Sequence, residues 1–362
     1  MGDVAAELPG ATRLGASPQS VGFQLDVLIT ALGFEDRCGV VPAALAGAGI
    51  RADVGVVFTY ETNAQENAGK RDVLFAALSD ACRETVELSA DSAVASQQLR
   101  RHLQLTASRV DGRPVRVGWD ISVASNQLIM KTASVLLDGE YELDVLYAEA
   151  ERYYPTRDEY EANRAVWLGE DHLGLDKGTL NVRVSSEHPG EHSSQLGKHL
   201  VLIPGYNRDR VRRVVSKVDP QFLTDLAGAP ITWLVGKPHL DEDAWRRDAL
   251  LEIHSVPDSH PRVELSTFRY IDTLLELDRI YQEFGLNYNI TLCPMGSKLQ
   301  ALGSAVFCRA RPDVQVMFAQ PVEYNAAHYT AGVRDIWQVG IGNTARLASR
   351  LMDVGTLTRV GR

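Results

Sequence analysis

The feature that most constrains this fold is a series of short motifs that occurs twice in the same order. An apolar run at residues 25–30 ends in the turn Gly33-Phe34-Glu35-Asp36-Arg37, and a second run at residues 200–203 ends in Gly205-Tyr206-Asn207-Arg208-Asp209-Arg210. Helical patterns follow both turns, and a further apolar run follows each helical pattern. Strands that alternate with helices predict right-handed βαβ crossovers and a parallel sheet.

Further matches extend the repeat. Residues 66–74 align with residues 242–250, so that Arg71-Asp72 corresponds to Arg247-Asp248. Ser125-Asn126-Gln127-Leu128 corresponds to Gly296-Ser297-Lys298-Leu299, and a spacing of 22 residues leads from Ser125 to Tyr147 and from Gly296 to Phe318. We therefore predict an α/β protein: a tandem duplication of a Rossmann-like parallel-sheet unit, a pseudo-dimer within one chain. The aligned Arg-Asp pairs are interpreted as structural.

The predicted boundaries follow composition. Residues 1–22 are rich in Gly, Ala, Ser and Pro and predict a flexible arm. Copy one covers residues 23–155, with a helix from about Arg71 to Thr85, and copy two covers residues 198–332. The polar residues 156–197 are interpreted as a linker or excursion, with a hairpin around residues 179–185 as one possibility. Residues 333–362 are predicted to be a helical segment, despite Gly340 and Gly342.

Charge and apolar content exclude some classes of protein. The formal net charge is −10, so long-range attraction to duplex nucleic acid is not expected. No stretch approaches the roughly 20 apolar residues of a membrane span, and no signal-peptide pattern opens the chain. Cys38, Cys82, Cys293 and Cys308 lack metal-ligand spacing, and we expect buried free thiols. We expect a cytoplasmic protein without a metal or cofactor.

The clearest candidate binding motif is Gly296-Ser297-Lys298, between an apolar run and a helical pattern that starts at Leu299. Ligands of open parallel sheets bind at the carboxyl ends of the strands. Gly296 would let a ligand approach the backbone, Ser297 would cap the helix, and Lys298 would add positive charge beside its N–H groups. This motif predicts a phosphate site. An ordinary helix cap with a solvated lysine is the alternative.

Three other strand-end turns carry candidate ligand-binding residues. Two of them combine an aromatic ring with arginine, which suits a base and a phosphate, although a surface Asp36–Arg37 pair is the alternative. The third offers hydroxyl, amide and carboxylate groups, and its Asp120 could contact a ribose or base or cap a turn. The candidates are Gly33, Phe34, Glu35 and Arg37; Gly205, Tyr206, Asn207 and Arg208; and Asp120, Ser122, Ser125 and Asn126.

The Gly296-Ser297-Lys298 turn resembles the closing motif of CARF-type domains, in which a Thr-Gly-Gly-Thr-Lys-like turn meets the ligand. The turn at Gly33 looks like the other ligand-facing loop of those domains. Two such units fused within one chain are similar to the SAVED arrangement. The resemblance implies binding of a cyclic oligonucleotide messenger in prokaryotic antiviral defence. Copy one lacks the glycine and lysine, and no effector domain is fused, so the resemblance implies a protein partner that supplies the effector activity.

The leading hypothesis is a nucleotide-binding sensor whose ligand is held by the strand-end turns of the two copies. No nucleophile with its base is identifiable, so whether the protein is an enzyme stays open. The alternatives are a metal-independent phosphodiesterase of the ring-nuclease type and a non-catalytic scaffold subunit of a defence complex.

Overall fold

The computed structural model describes residues 1–14, 24–170 and 172–360, with the backbone alone for residues 355–360. The chain divides into two compact units. The first unit comprises Glu7–Tyr154 and Ala326–Arg350, and the second comprises Met1–Ala6, Pro155–Asn325 and Leu351–Arg362.

The strands of the described residues are numbered in chain order. They are β1 (Thr12–Arg13), β2 (Val27–Ala31), β3 (Ala52–Thr59), β4 (Cys82–Ser89), β5 (Val115–Asp120), β6 (Tyr141–Ala148), β7 (Arg152–Tyr153), β8 (Asp176–Lys177) and β9 (Asn181–Val184). They continue with β10 (Gly197–Ile203), β11 (Ile231–Lys237), β12 (Arg262–Ser266), β13 (Tyr288–Pro294), β14 (Gln315–Gln320), β15 (Glu323–Tyr324), β16 (Thr330–Ala331) and β17 (Ile336–Asn343).

The helices are numbered in the same way. They are α1 (Gly2–Glu7), α2 (Val40–Gly47), α3 (Ala64–Ala68), α4 (Arg71–Ala81), α5 (Ala95–Ala107), α6 (Asn126–Leu136) and α7 (Arg157–Gly169). They continue with α8 (Arg208–Val218), α9 (Gln221–Thr224), α10 (Trp245–His254), α11 (Tyr270–Phe284), α12 (Lys298–Ala310) and α13 (Thr344–Val360). Short 3-10 turns lie at Asp241–Asp243 and Ala326–His328. No described helix is both long and apolar enough to cross a membrane.

The sheet of the first unit has the order β1-β17-β6-β5-β2-β3-β4. Strands β2 to β6 are parallel, and β17 closes the sheet antiparallel to β6. Every residue of β2 is buried, as expected for a central strand with both faces covered. The predicted α/β fold is confirmed.

The sheet of the second unit has the order β12-β11-β10-β13-β14-β9, with β10 to β14 parallel and β9 antiparallel. Both sheets therefore place their parallel strands in the order third, second, first, fourth and fifth, followed by an antiparallel strand; the first unit adds the short β1 beyond that strand. In such a sheet the chain changes direction between the first and fourth strands, where the strand ends leave a crevice for ligands. These switch points lie at β2/β5 in the first unit and at β10/β13 in the second.

Corresponding side chains make corresponding contacts in the two units. Arg37 donates to the carbonyl oxygen of Ala148 (3.0 Å), and Arg210 donates through Nε to that of Ala319 (3.0 Å). These contacts support the duplication, which stays a prediction.

The aligned Arg71 and Arg247 bind the edge strands of their sheets. Arg71 binds Glu87 on β4, and Arg247 binds Glu264 on β12. Arg247 also pairs with Asp248, whereas the carboxylate partner of Arg71 is Glu87. In both units the arginine ties a helix to the sheet edge.

Several predicted boundaries were wrong. The helix that starts at Arg71 ends at Ala81, because residues 82–89 continue the sheet as β4. Residues 336–343 form β17, because the outer edge of β6 needs a hydrogen-bonding partner. Residues 155–197 belong to the second unit, where β9 pairs with β14 and not within a local hairpin.

The predicted flexible arm also contains ordered elements. Residues 2–7 form α1, and β1 pairs with β17. The remainder of that prediction, residues 15–22, lies outside the described residues. The four cysteines are buried and free, as predicted.

Candidate functional site

The turn at the end of β13 is held by a capping box. Ser297 Oγ accepts from the backbone N–H of Gln300 (3.2 Å), and Gln300 Oε1 accepts from the backbone N–H of Ser297 (2.9 Å). Each side chain thus satisfies a backbone donor that the first turn of a helix leaves open. The predicted cap role of Ser297 is therefore observed, and α12 begins at Lys298.

The buried carboxamide of Gln300 has an unsatisfied donor. The side chain is 1% exposed, and its Nε2 has no hydrogen-bond partner among the described residues. The amide orientation is fixed, because only the oxygen can accept from the N–H of Ser297. A buried unsatisfied donor costs about 1–3 kcal/mol, so this site gains stability from an added acceptor.

Two glycines flank the Gln300 carboxamide. A Cβ atom at Gly296 would lie 2.6 Å from Ile203 Cγ2 and against Gln300 Oε1. A Cβ atom at Gly236, near the end of β11, would lie 3.8 Å from Gln300 Nε2 and 2.9 Å from Thr267 Cγ2. Gly296 is thus required by close packing around the capping box, and a Cβ atom at Gly236 would press against the methyl group of Thr267.

Two hydrogen bonds join three strand ends around this carboxamide. Ser297 Oγ donates to the carbonyl oxygen of Thr267 (2.5 Å), and the N–H of Thr267 donates to that of Lys237 (3.0 Å). The turn after β13, the loop after β12 and the end of β11 therefore form one continuous edge.

This edge carries cations and two rings, and we call it the α12 rim. Lys298 is half-buried in the first turn of α12, and Lys237 and Arg269 are exposed. Arg269 pairs with Asp272 at 3.3 Å. The rings of His239 and Phe268 are 4.6 Å apart. Lysine and arginine cations can bind a phosphate group, and neighbouring aromatic rings can stack on a base. The rim comprises Lys237, His239, Phe268, Arg269 and Lys298.

The other predicted turn of the second unit is engaged in the fold. His254 Nε2 lies 2.6 Å from the carbonyl oxygen of Gly205, and burial raises the pKa of Tyr206. Asn207 caps α8 by accepting from the N–H of Arg210 (3.1 Å), and its Nδ2 donates to Asp176 (2.6 Å). Arg208 is half-buried at the start of α8.

In the first unit, Asp120 and Ser122 are buried and hydrogen-bonded to the protein itself. Asp120 Oδ2 accepts from Thr30 Oγ1 (2.9 Å), and Oδ1 accepts from the N–H of Ser122 (2.9 Å). Ser122 Oγ accepts from the N–H of Ala148 (2.8 Å). Burial raises the pKa of Asp120, and its hydrogen bonds to Ser122 and Thr30 oppose that rise. These bonds tie the switch point to β6.

Glu35 and Arg37 form a buried ion pair, in place of the surface Asp36–Arg37 pair considered from the sequence. Their side chains are 5% and 2% exposed. Desolvation lowers the pKa of Arg37, but the Glu35 carboxylate and nearby tyrosines raise it by more. Thr330 Oγ1 donates to Glu35 Oε2 (2.6 Å). The carboxylate of Glu35 and the NH1 and NH2 groups of Arg37 thus bond inside the unit, whereas Arg37 Nε has no hydrogen-bond partner among the described residues.

The remaining candidates of the first unit have structural contacts as well. A Cβ atom at Gly33 would lie 2.9 Å from Val123 Cβ. The ring of Phe34 meets that of Tyr329 edge to face at 5.6 Å. Ser125 caps α6 by accepting from the N–H of Leu128 (3.1 Å), next to the half-buried Asn126.

Most residues of the α12 rim, and Gln300, were not predicted from the sequence. The spacing Ser297-x-x-Gln300 is a readable capping-box signal. Lys237, His239 and Phe268 would have required the strand-end rule to be applied to β11 and β12 as well as to the aligned turns.

Comparisons with known proteins identify no family. No family model and no curated protein matches this chain. The chain is similar to the cytoplasmic domain of a prokaryotic cation chloride cotransporter, with 8% identity, 84% of this chain and 99% of that chain covered, and a TM-score of 0.24.

Two similar structures come from Pseudomonas aeruginosa. A functionally unknown protein from strain PAO1 has 11% identity, coverage of 94% and 100%, and a TM-score of 0.23. A candidate universal stress protein from strain UCBPP-PA14 has 10% identity, coverage of 92% and 98%, and a TM-score of 0.23. At these scores none of the three carries an argument about function, and the fold assignment rests on the strand order. The resemblance to CARF and SAVED domains stays a prediction.

Proposed function

We propose that the second unit binds a nucleotide at the α12 rim and that the protein is a nucleotide-responsive regulator. The observation that carries this proposal is the buried Nε2 of Gln300, a donor without a partner among the described residues at the switch point of the sheet. Because an acceptor at that position removes a buried unsatisfied group, binding there is favourable.

The proposed ligand is anchored by its phosphate. A phosphate oxygen accepts from Gln300 Nε2, beside the N–H groups of the first turn of α12. Lys298 and Lys237 supply positive charge. The base stacks on the rings of His239 and Phe268.

The regulatory part of the proposal comes from the resemblance of the Gly296-Ser297-Lys298 turn to CARF-type domains. We propose that the ligand is a nucleotide messenger, with cyclic oligonucleotides as the first class to test, and that a protein partner in the cytoplasm supplies the antiviral output. The proposed site is confined to the second unit, because Glu35, Asp120 and Ser122 of the first unit are hydrogen-bonded within that unit.

The test is a thermal-shift and calorimetric titration of the full chain with AMP, ADP, ATP and cyclic oligonucleotides. A ligand at a hundredfold excess over its Kd stabilises the folded state by about 2.7 kcal/mol. We expect Lys298→Ala to weaken binding about tenfold or more, the loss of one charge-assisted contact. Lys198→Ala, an exposed lysine at the amino end of β10, is the control and should bind as the wild type does.

Gln300→Glu tests directly whether the buried Nε2 donor of Gln300 binds the ligand. It keeps an acceptor for the N–H of Ser297 and replaces the Nε2 donor by an oxygen, which repels phosphate. We expect binding to be lost. Unchanged affinity in both Lys298→Ala and Gln300→Glu would refute the site, and if Gln300→Glu does not fold, Lys298→Ala decides alone. The absence of any nucleotide binding would refute the function and favour the scaffold, whereas product formation would favour the phosphodiesterase over the regulator.

A further inference from the structure

A short segment of the second unit lies against the turn that joins β10 to α8. It consists of residues 174–178 and contains β8, and we call it the strap. The glycines at its two ends have φ angles of 71° (Gly174) and 55° (Gly178), which residues with a side chain rarely adopt. Between them, β8 pairs with β15 over only two residues. Because few backbone bonds hold the strap and both of its ends are glycines, it has the features of a segment that opens locally.

One carboxylate fastens the strap to the turn. Asp176 is 6% exposed, whereas the other four residues of the strap are half-buried or exposed. Its Oδ1 accepts from Asn207 Nδ2 (2.6 Å), and its Oδ2 accepts from Arg210 NH1 (2.5 Å). Because this contact is ionic rather than apolar, another anion that binds the same two donors can take the place of the carboxylate.

The first unit has a matching segment, residues 328–332, which contains β16. Strand β16 pairs with β7, which follows β6, just as β8 pairs with β15, which follows β14. In the first unit Thr330 Oγ1 donates to Glu35 (2.6 Å), and Glu35 pairs with Arg37 within the turn itself. The carboxylate that binds Arg37 therefore belongs to the turn and not to the segment that lies against it.

The second unit reverses this arrangement. Its turn has the neutral Asn207 at the position of Glu35, and the carboxylate that pairs with Arg210 is that of Asp176 in the strap. Opening the segment of the first unit would leave Glu35 on its arginine. Opening the strap takes Asp176 away from Arg210. The position of the strap and the anion bound at Arg210 are thus coupled in the second unit and not in the first.

We propose that the strap is a latch that a phosphate group releases. The phosphate replaces the Asp176 carboxylate on Arg210 and Asn207, and the strap then opens at its two glycines. Phosphate suits these donors, because a guanidinium group binds it through two parallel hydrogen bonds and its second negative charge strengthens them. The latch converts an anion into a change of backbone, which is the kind of response that a regulator needs. It does not depend on a nucleotide at the α12 rim and so goes beyond the proposed function.

The experiment is amide hydrogen exchange, measured by NMR on the full chain, in phosphate and in chloride buffer of equal ionic strength. Three amides report opening of the strap, since their N–H groups donate to Tyr206, to Leu175 and to Lys177 in the closed form; they are Leu173, Asn325 and Val322. We expect saturating phosphate to speed their exchange at least fivefold. The amides of Gly332 and Tyr154, which hold the matching segment of the first unit, are the internal control and should not respond.

Asp176→Asn separates a latch from a purely structural ion pair. Removing the resident negative charge should speed strap exchange without phosphate and should tighten phosphate binding at least fivefold by calorimetry. A structural pair alone would leave the phosphate affinity unchanged. Asp219→Asn, which removes the carboxylate at the other end of α8, is the matched control and should bind phosphate as the wild type does.

Lys298→Ala distinguishes this proposal from binding at the α12 rim, because the strap should respond to phosphate in this variant as in the wild type. The proposal is overturned if phosphate leaves strap exchange unchanged, if it speeds both segments equally, or if Asp176→Asn binds phosphate no more tightly. If Asp176→Asn does not fold, the exchange of the wild type decides alone.

Discussion

Replacing His199 by phenylalanine tests whether burial of this imidazole makes the stability of the second unit depend on pH. His199 lies on the central strand β10 and is 2% exposed. Its ring stacks on Phe284 at 4.2 Å and meets the titratable Tyr288 edge to face at 5.8 Å. Nε2 lies 2.9 Å from Thr232 Oγ1, and Nδ1 has no partner among the described residues. A protonated ring would therefore be a buried cation without a carboxylate to offset it.

The size of the pH-dependent change in the free energy of unfolding follows from the pKa of His199. Burial lowers the pKa of His199 from 6.5 to about 4. Between these values the unfolded chain binds a proton that the folded chain does not, so the free energy of unfolding falls as the pH is lowered from 6.5 to 4. At 1.36 kcal/mol for each unit of pKa, the loss is about 3 kcal/mol. The contribution is fully present above pH 6.5, and below pH 4 it changes no further.

The assay compares the wild type with His199→Phe. Phenylalanine keeps the aromatic contacts, and the loss of the Thr232 hydrogen bond lowers stability equally at every pH, so it shifts the curve without changing its slope. Urea-dependent amide hydrogen exchange of the segment Gly197–Ile203 gives the local unfolding free energy at pH 4 to 6.5. We expect the wild type to lose about 3 kcal/mol more than the variant over this range.

An NMR titration of the His199 ring provides the independent check. Other acid-sensitive groups occur in both proteins and cancel in the difference. Parallel pH profiles for the two proteins, or a His199 pKa near 6.5, would refute the reasoning.

Three further substitutions test the contacts described above by urea unfolding. Gly296→Ala puts a Cβ atom 2.6 Å from Cγ2 of the buried Ile203 and should cost about 1–3 kcal/mol; wild-type stability would show that the turn yields freely. Arg37→Met leaves the buried Glu35 carboxylate uncompensated and should cost about 3–5 kcal/mol, partly recovered by adding Glu35→Gln; a loss below about 1 kcal/mol would contradict the pairing. Ser125→Ala removes the cap of α6 and should cost about 1 kcal/mol, and no loss would mean that solvent replaces the cap.

Much of the fold could be read from local patterns. The apolar runs that became β2 and β10, and the serines that cap α6 and α12, are set by interactions between residues close in sequence. The order of these motifs also predicted two units with a parallel sheet each.

Which polar side chains point into the interior could not be predicted from such local patterns. The turn at Gly33 suggested ligand contacts, but Glu35 and Arg37 face inward, where they bond to Thr330 Oγ1 and to the carbonyl oxygen of Ala148. These partners are distant in sequence, and no local pattern specifies them.

The sequence by itself thus determined the α/β class, the central strands and the caps, because short-range periodicity and backbone hydrogen bonding decide them. Only the tertiary structure decided that residues 336–343 extend the sheet of the first unit and that Gln300 holds a donor without a partner among the described residues. Both outcomes depend on what the folded chain brings next to a strand edge or a buried amide. That proximity is a property of the packed molecule, since hydrogen-bond satisfaction inside a protein is settled by neighbours from remote segments.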